Sequence, residues 1–290
     1  MTMHNEAGRI SATIELAPKQ ALENEELGEL IPLGTAAYLT DLGTGDDDET
    51  VAAARRLRDL GLEPVPHIAS RRLPSREALF SRVERLVGEA DVRDVLIIGG
   101  GLDKPAGEFT STHDVLTTGV LEKNGIRRVG IAGHPEGSPD FSAGVALDAL
   151  RMKGNYAAAN GLDMRIVTQF GFDPEGMVEW VRGLKSHGVD LPVHLGVAGP
   201  ATLKTLLRYA AFCGVGPSMS FLKRNALKIA NLATTQSPEQ VVGPIEAAWR
   251  AEAGGLVGMH VFPFGGVAKS SVWLRERGSW HDGADVLAAE

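Results

Sequence analysis

The residues able to do chemistry in this chain recur at the ends of short apolar runs. In order they are Glu15, Thr40, His67, Gly99-Gly100-Gly101, His134-Pro135-Glu136, Gln169, Gly196 and the turn Phe262-Pro263-Phe264-Gly265-Gly266. Glu15 is the most informative, because in an extended segment Ser11, Thr13 and Glu15 share one face while Ile10, Ile14 and Leu16 share the other. A partly buried carboxyl there is held protonated near neutral pH, as a general acid requires. The structural alternative is a rim glutamate paired with a lysine or arginine.

The other candidates have similar double readings. Consecutive glycines after the apolar run Val95–Ile98 let a backbone approach a flat or phosphorylated ligand and present N–H groups to it, but they also suit an ordinary tight turn. His67 and His134 have the chemistry of metal ligands, with Glu15 or Glu136 as a further donor, or of plain hydrogen-bonding groups at strand ends. Asp46-Asp47-Asp48-Glu49 lacks the alternating spacing of a calcium loop and reads as a solvated helix start. Tyr209, Phe262 and Phe264 read first as packing aromatics.

The elements that must position these residues alternate between short β-branched runs and amphipathic helical stretches. Strands are predicted at Ile10–Leu16, Ala36–Thr40, Pro64–Ile68, Asp94–Ile98, Arg128–Ala132, Arg165–Gln169, Pro192–Val197 and Gly258–Phe262. Helices are predicted at Asp46–Gly61, from Pro74-Ser75 to about Ala90, and at Pro217–Ala233 and Pro238–Ala253. Ser237-Pro238-Glu239-Gln240 has the pattern of a capping box with proline at the first helical position. Eight βα units favour a single α/β domain over residues 1–290, a (β/α)8 TIM barrel with an extra helix before the eighth strand, rather than an open doubly wound sheet. A barrel puts its active site at the C-terminal ends of the strands, which is where the polar residues fall.

Composition excludes several classes of function. The chain of 290 residues is 43% hydrophobic and 23% charged, as in ordinary globular proteins. Its one cysteine, Cys213, rules out an intrachain disulfide and a cysteine zinc site. A net charge of −8 argues against nucleic-acid binding. There is no apolar run of membrane-spanning length and no secretory segment at the N-terminus, so a cytoplasmic protein with a small-molecule partner and no membrane association is expected.

Taken together, four segments resemble the methylenetetrahydrofolate reductases: Thr13-Ile14-Glu15-Leu16-Ala17-Pro18, Pro66-His67-Ile68, Ile131–Asp140 with its Gly133-His134-Pro135-Glu136-Gly137, and Thr168-Gln169-Phe170-Gly171-Phe172-Asp173. They run in the family's order from about Ile10 to Leu274. The resemblance implies FAD, held by Thr40, His67, the Gly99, Gly100 and Gly101 backbone, Ala132, His134, Ser138, Asp148, Arg151 and Lys153. It implies a folate substrate contacted by Gln169 and stacked on Tyr209. The implied reaction reduces 5,10-methylenetetrahydrofolate to 5-methyltetrahydrofolate, or runs in reverse, with hydride from flavin N5 and Glu15 protonating N10. NAD(P)H or another donor would reduce the flavin. Little chain precedes the first strand, where bacterial relatives bind nicotinamide, so NADH is expected to be a poor donor.

The chain departs from the family in places. Gly99-Gly100-Gly101 stands where the family has Arg-Gly-Asp, with Asp103 the nearest acid; the fifth helix has a longer spacing after its basic residues; and Gly266 replaces an arginine, with Lys269 the nearest cation. Two rival readings follow: a metal-dependent barrel lyase or hydrolase built on Glu15, His67, His134 and Glu136, and a flavin- or folate-binding protein without turnover. Assembly into a homo-oligomer stays open.

Overall fold

The computed structural model describes residues 8–41, 43, 46–212, 234–252 and 254–281. Its strands are β1 (Ala12–Leu16), β2 (Ala36–Leu39), β3 (Glu63–Ala69), β4 (Asp94–Ile98), β5 (Arg128–Gly133), β6 (Asp163–Phe170), β7 (Val193–Ala198), β8 (Ala201–Thr202), β9 (Thr235–Gln236) and β10 (Leu256–Phe262). Eight of them close a parallel barrel in the order β1-β10-β7-β6-β5-β4-β3-β2. β1 pairs with both β10 and β2, so no edge is left open. The eight predicted strands are these eight, with ends that differ by up to two residues.

Alternation along each strand sorts side chains between two environments. Ile14 and Leu16 of β1 are buried in the large apolar layer under the helices, whereas Tyr38, Val65, Leu96 and Val167 form a separate cluster within the barrel. The lumen is not wholly apolar. Arg165 Nη1 donates to Asp94 Oδ1 at 2.9 Å, and Arg165 Nε donates to the Tyr38 hydroxyl at 2.9 Å. These charges are paired, as burial demands.

Helix starts follow the sequence signals. Asp46 accepts from Glu49 N at 2.8 Å ahead of helix Asp47–Asp59, and Gly61 takes a left-handed φ of +75° after it. Ser75 caps Arg76–Ala90 by accepting from Ala78 N. The capping box at Ser237 is corrected: the helix is Glu239–Arg250, Pro238 occupies the cap position, and Ser237 Oγ accepts from Glu239 N at 3.4 Å. Helix Leu203–Phe212 was not anticipated, although Leu203, Leu206 and Ala210 repeat at helical spacing and are buried. The short antiparallel pair of β8 with β9 was not anticipated either. The predicted helix Pro217–Ala233 lies outside the described residues. Among the described residues no helix is long and apolar enough to cross a membrane.

Candidate active site

The C-terminal ends of β1, β3 and β10 bring one carboxyl and two imidazoles together. Glu15 Oε2 lies 3.6 Å from His67 Nε2 and 3.5 Å from His260 Nε2. His260 is fixed from its other nitrogen, since Thr13 Oγ1 lies 2.8 Å from His260 Nδ1, and its ring meets Tyr38 edge-on at 4.5 Å. His260 went unremarked in the sequence, although the alternation Gly258, His260, Phe262 puts it on the lumen face of β10.

The electrostatics of this group are set by burial. Burial pushes the Glu15 carboxyl above the usual range for glutamate, against the opposing effect of the His67 charge. Burial also lowers His67, and takes His260 down to about 3 with help from the Arg165 charge. The three groups are therefore mutually consistent as a protonated carboxyl between neutral imidazoles, with no lysine or arginine paired to Glu15 among the described residues.

Around this centre the strand ends present unsatisfied polar atoms. Among the described residues Thr40 Oγ1 is buried without a hydrogen-bond partner, and His67 Nε2 has only the Glu15 carboxyl, at 3.6 Å. Such atoms cost about 1–3 kcal/mol each unless something completes them. Gly99 and Gly101 lie beyond the end of β4, and a Cβ at either would meet nothing within 4 Å. Asp103 is exposed in the same loop, its carbonyl accepting from Arg71 Nη2 at 2.6 Å. Lys153 is only 6% exposed, no ion pair holds it among the described residues, and burial lowers its ammonium to about 8. It faces His134 closely enough that its charge depresses the imidazole further, after burial itself. Ala132 is half-buried on β5, and Ser138 turns its hydroxyl to Asp140 N at 3.2 Å.

Two of the residues are not brought to this end. Arg151 pairs with Asp148 at 2.7 Å, and both line a groove with Ser186, His187 and Gly188, at the turn that precedes the N-terminal end of β7. The long helix Ala143–Asn160 carries them down the outside of the barrel, whereas Lys153, two residues beyond Arg151, turns inward.

The end of β6 is irregular. The register with β7 shifts between Val167 and Phe170, and Thr168 Oγ1 accepts from Gly196 N at 2.8 Å while Gln169 stands half-buried. A bulge of this kind re-aims one side chain, here that of Gln169. A Cβ at Gly196 would fall on the Thr168 carbonyl and lie 2.8 Å from Gln169 C. Gly196→Ala is therefore expected to cost about 1–3 kcal/mol, read as a lower Tm. Tyr209 stacks on Phe264 at 4.0 Å with 12° between the rings, and Arg208 lies 5.2 Å from the Tyr209 centroid. Phe264 continues to Phe170 and Phe262, so an aromatic wall runs from helix Leu203–Phe212 to the lumen.

No protein-family model matches the chain. It is 24% identical over 217 residues to the 5,10-methylenetetrahydrofolate reductase of Pectobacterium carotovorum subsp. carotovorum, a match that covers 72% of this chain and 70% of that protein. It is 30% identical over 95 residues to Methylenetetrahydrofolate reductase 1 of Schizosaccharomyces pombe, covering 32% of this chain and 15% of that one. The chain is thus similar in sequence to methylenetetrahydrofolate reductases. Its fold is also that of an uncharacterized Clostridium thermocellum protein that binds two copies of 5-methyl-5,6,7,8-tetrahydrofolic acid. That likeness has a TM-score of 0.65 over 94% of this chain and 96% of the other, at 13% identity. The methylenetetrahydrofolate reductase resemblance read from four sequence segments thus rests on a closed barrel that brings Glu15, His67, His134 and Gln169 to the strand ends.

Proposed function

We propose that this chain reduces 5,10-methylenetetrahydrofolate to 5-methyltetrahydrofolate, or catalyses the reverse oxidation, with FAD as cofactor. The observation that carries the reading is Glu15, a carboxyl held above its normal range between two neutral imidazoles at the barrel mouth. An acid in that state can give a proton to N10 of the folate as the five-membered ring opens, leaving an electrophilic iminium at the one-carbon unit. FAD, when bound, supplies the hydride. Gln169 hydrogen-bonds the pterin, and Tyr209 offers it a ring face once the Arg208 guanidinium is displaced.

The residues present fit the cofactor. Thr40 Oγ1 is a buried hydroxyl with no hydrogen-bond partner among the described residues, the backbone at Gly99 and Gly101 leaves room for a flat ring system, and Lys153 is a buried cation with no ion pair among the described residues. Thr40, His67, the Gly99–Gly101 backbone, Ala132, His134, Ser138 and Lys153 would hold it, while Asp148 and Arg151 are left out of the set by their position on the outer groove. Among the described residues no three His, Cys, Asp or Glu side chains are grouped to hold a metal ion.

The test is the visible spectrum of the protein purified with added FAD, followed by anaerobic reduction and addition of methylenetetrahydrofolate in the same cuvette. Oxidised-flavin bands that bleach and then return with folate are the expected result. A protein that stays colourless after reconstitution would overturn the proposal.

A further inference from the structure

Arg72 lies at the end of the turn Ser70–Arg72 that follows β3, above the rim of the barrel. Its Nε donates to Gly100 O, beyond β4, at 2.8 Å. Its stem passes Gly100, where a Cβ would come within 3.3 Å of Arg72 Cγ. On the other side a Cβ at Gly43, beyond β2, would fall on Arg72 Nη1. Both glycines have positive φ, +69° at Gly43 and +97° at Gly100, so side chains are excluded twice over, by conformation and by space. The two loops thus form a lane that fits this one side chain. Clamping an arginine stem costs rotamer entropy of about 2 kcal/mol, and a single bond to a carbonyl is a small return for it.

Among the described residues the guanidinium ends meet no hydrogen-bond acceptor. Nε is the only nitrogen of Arg72 with a hydrogen-bond acceptor among the described residues, and no carboxylate pairs with it. Its neighbour differs: the Arg71 guanidinium donates to the carbonyls of Leu102, Asp103 and Thr110, which pins the loop after β4. Arg71 is structural, whereas Arg72 is held in place with its two Nη groups meeting no acceptor among the described residues. Thr40 Oγ1, just beyond the end of β2, is buried with no hydrogen-bond partner among the described residues.

We infer that Arg72 is an anion-binding residue of the barrel mouth, positioned by Gly43 and Gly100 to take a phosphoester oxygen of the ligand that lies over β2 to β4. The inference rests on the proposed flavin site for the identity of that ligand, but not for the anion chemistry. The terminal Nη1/Nη2 edge of a planar guanidinium matches a phosphate oxygen pair. It also supplies a cation on the side where Gly99-Gly100-Gly101 carries no charged side chain.

The experiment measures dissociation constants of FAD, FMN and riboflavin by flavin fluorescence for the parent, Arg72→Met and Gly43→Ala, with inorganic pyrophosphate as a second probe read by thermal shift. Loss of one charge-assisted contact corresponds to roughly 10- to 100-fold in affinity. Arg72→Met is expected to weaken FAD by that factor while riboflavin, which has no phosphate, changes by less than about twofold. Gly43→Ala, which displaces the guanidinium without removing it, should do the same. Equal weakening of all three flavins, or no change in FAD, would overturn the inference. If no flavin binds the parent but pyrophosphate raises its Tm and fails to do so in Arg72→Met, the anion site stands and the flavin reading falls.

Discussion

Glu15→Gln is expected to lower turnover of methylenetetrahydrofolate by roughly 10²- to 10⁴-fold, the usual contribution of a positioned general acid. FAD and folate affinities should stay close to those of the parent, because the amide preserves shape and one acceptor. The same variant discriminates between the two readings of Glu15 through stability. Burial raises the folded value of this carboxyl above its unfolded one. The stability it contributes is therefore present below the unfolded value and lost as pH rises through the folded value. Above that point Glu15→Gln should be more stable than the parent in urea unfolding, and the advantage should vanish near pH 4. A variant that is less stable at pH 8 would show instead that Glu15 is an ionised structural partner of His67 or His260.

The second large effect is acid lability. His194 and His260 are buried in the lumen, and burial, then the Arg165 charge, takes each down to about 3. The unfolded value is about 6.5. Folded values below unfolded ones mean that this stability is present above about pH 6.5 and is lost as pH falls toward 3. Each site contributes about 1.4 kcal/mol per pH unit well below its unfolded value. Two sites together remove about 4 kcal/mol between neutrality and pH 5, a large part of a normal folding free energy. His67 and His134 are lowered as well and act in the same direction. Urea unfolding at a series of pH values should give a slope of at least two protons near pH 5, falling by about one in His194→Gln. A parent whose stability is flat from pH 7 to 5 would contradict the neutral-imidazole description.

Much of the barrel was legible because each strand ends where apolar alternation gives way to a polar or glycine residue, and several long helices, Asp47–Asp59 and Arg76–Ala90 among them, have a side-chain cap. Asp94–Ile98 could be read to the residue for that reason. Helix Leu203–Phe212 was missed because its apolar repeat follows β7 after only a short turn and a two-residue strand. The site was legible where one strand was enough to define it, as with Glu15 on β1 and His67 on β3. It was not legible where the chemistry depends on neighbours distant in sequence. His260 becomes significant only when β10 closes the barrel against β1, which aligns it with Thr13. Arg72 becomes significant only when loops from β2 and β4 converge on it. Arg151 and Lys153 look equivalent in sequence, yet two residues of helical rotation send one to an outer groove and the other inward. Gln169 owes its position to a bulge that sequence periodicity cannot show.

The most direct measurement is a single turnover. The FAD-loaded protein is reduced with dithionite without oxygen, the excess is removed, and methylenetetrahydrofolate is added at one equivalent while the folate products are resolved chromatographically. The account predicts one equivalent of 5-methyltetrahydrofolate formed at the rate at which the flavin absorbance returns, and only a trace over the same interval with Glu15→Gln. Stable reduced flavin beside unreacted folate in the parent would contradict it.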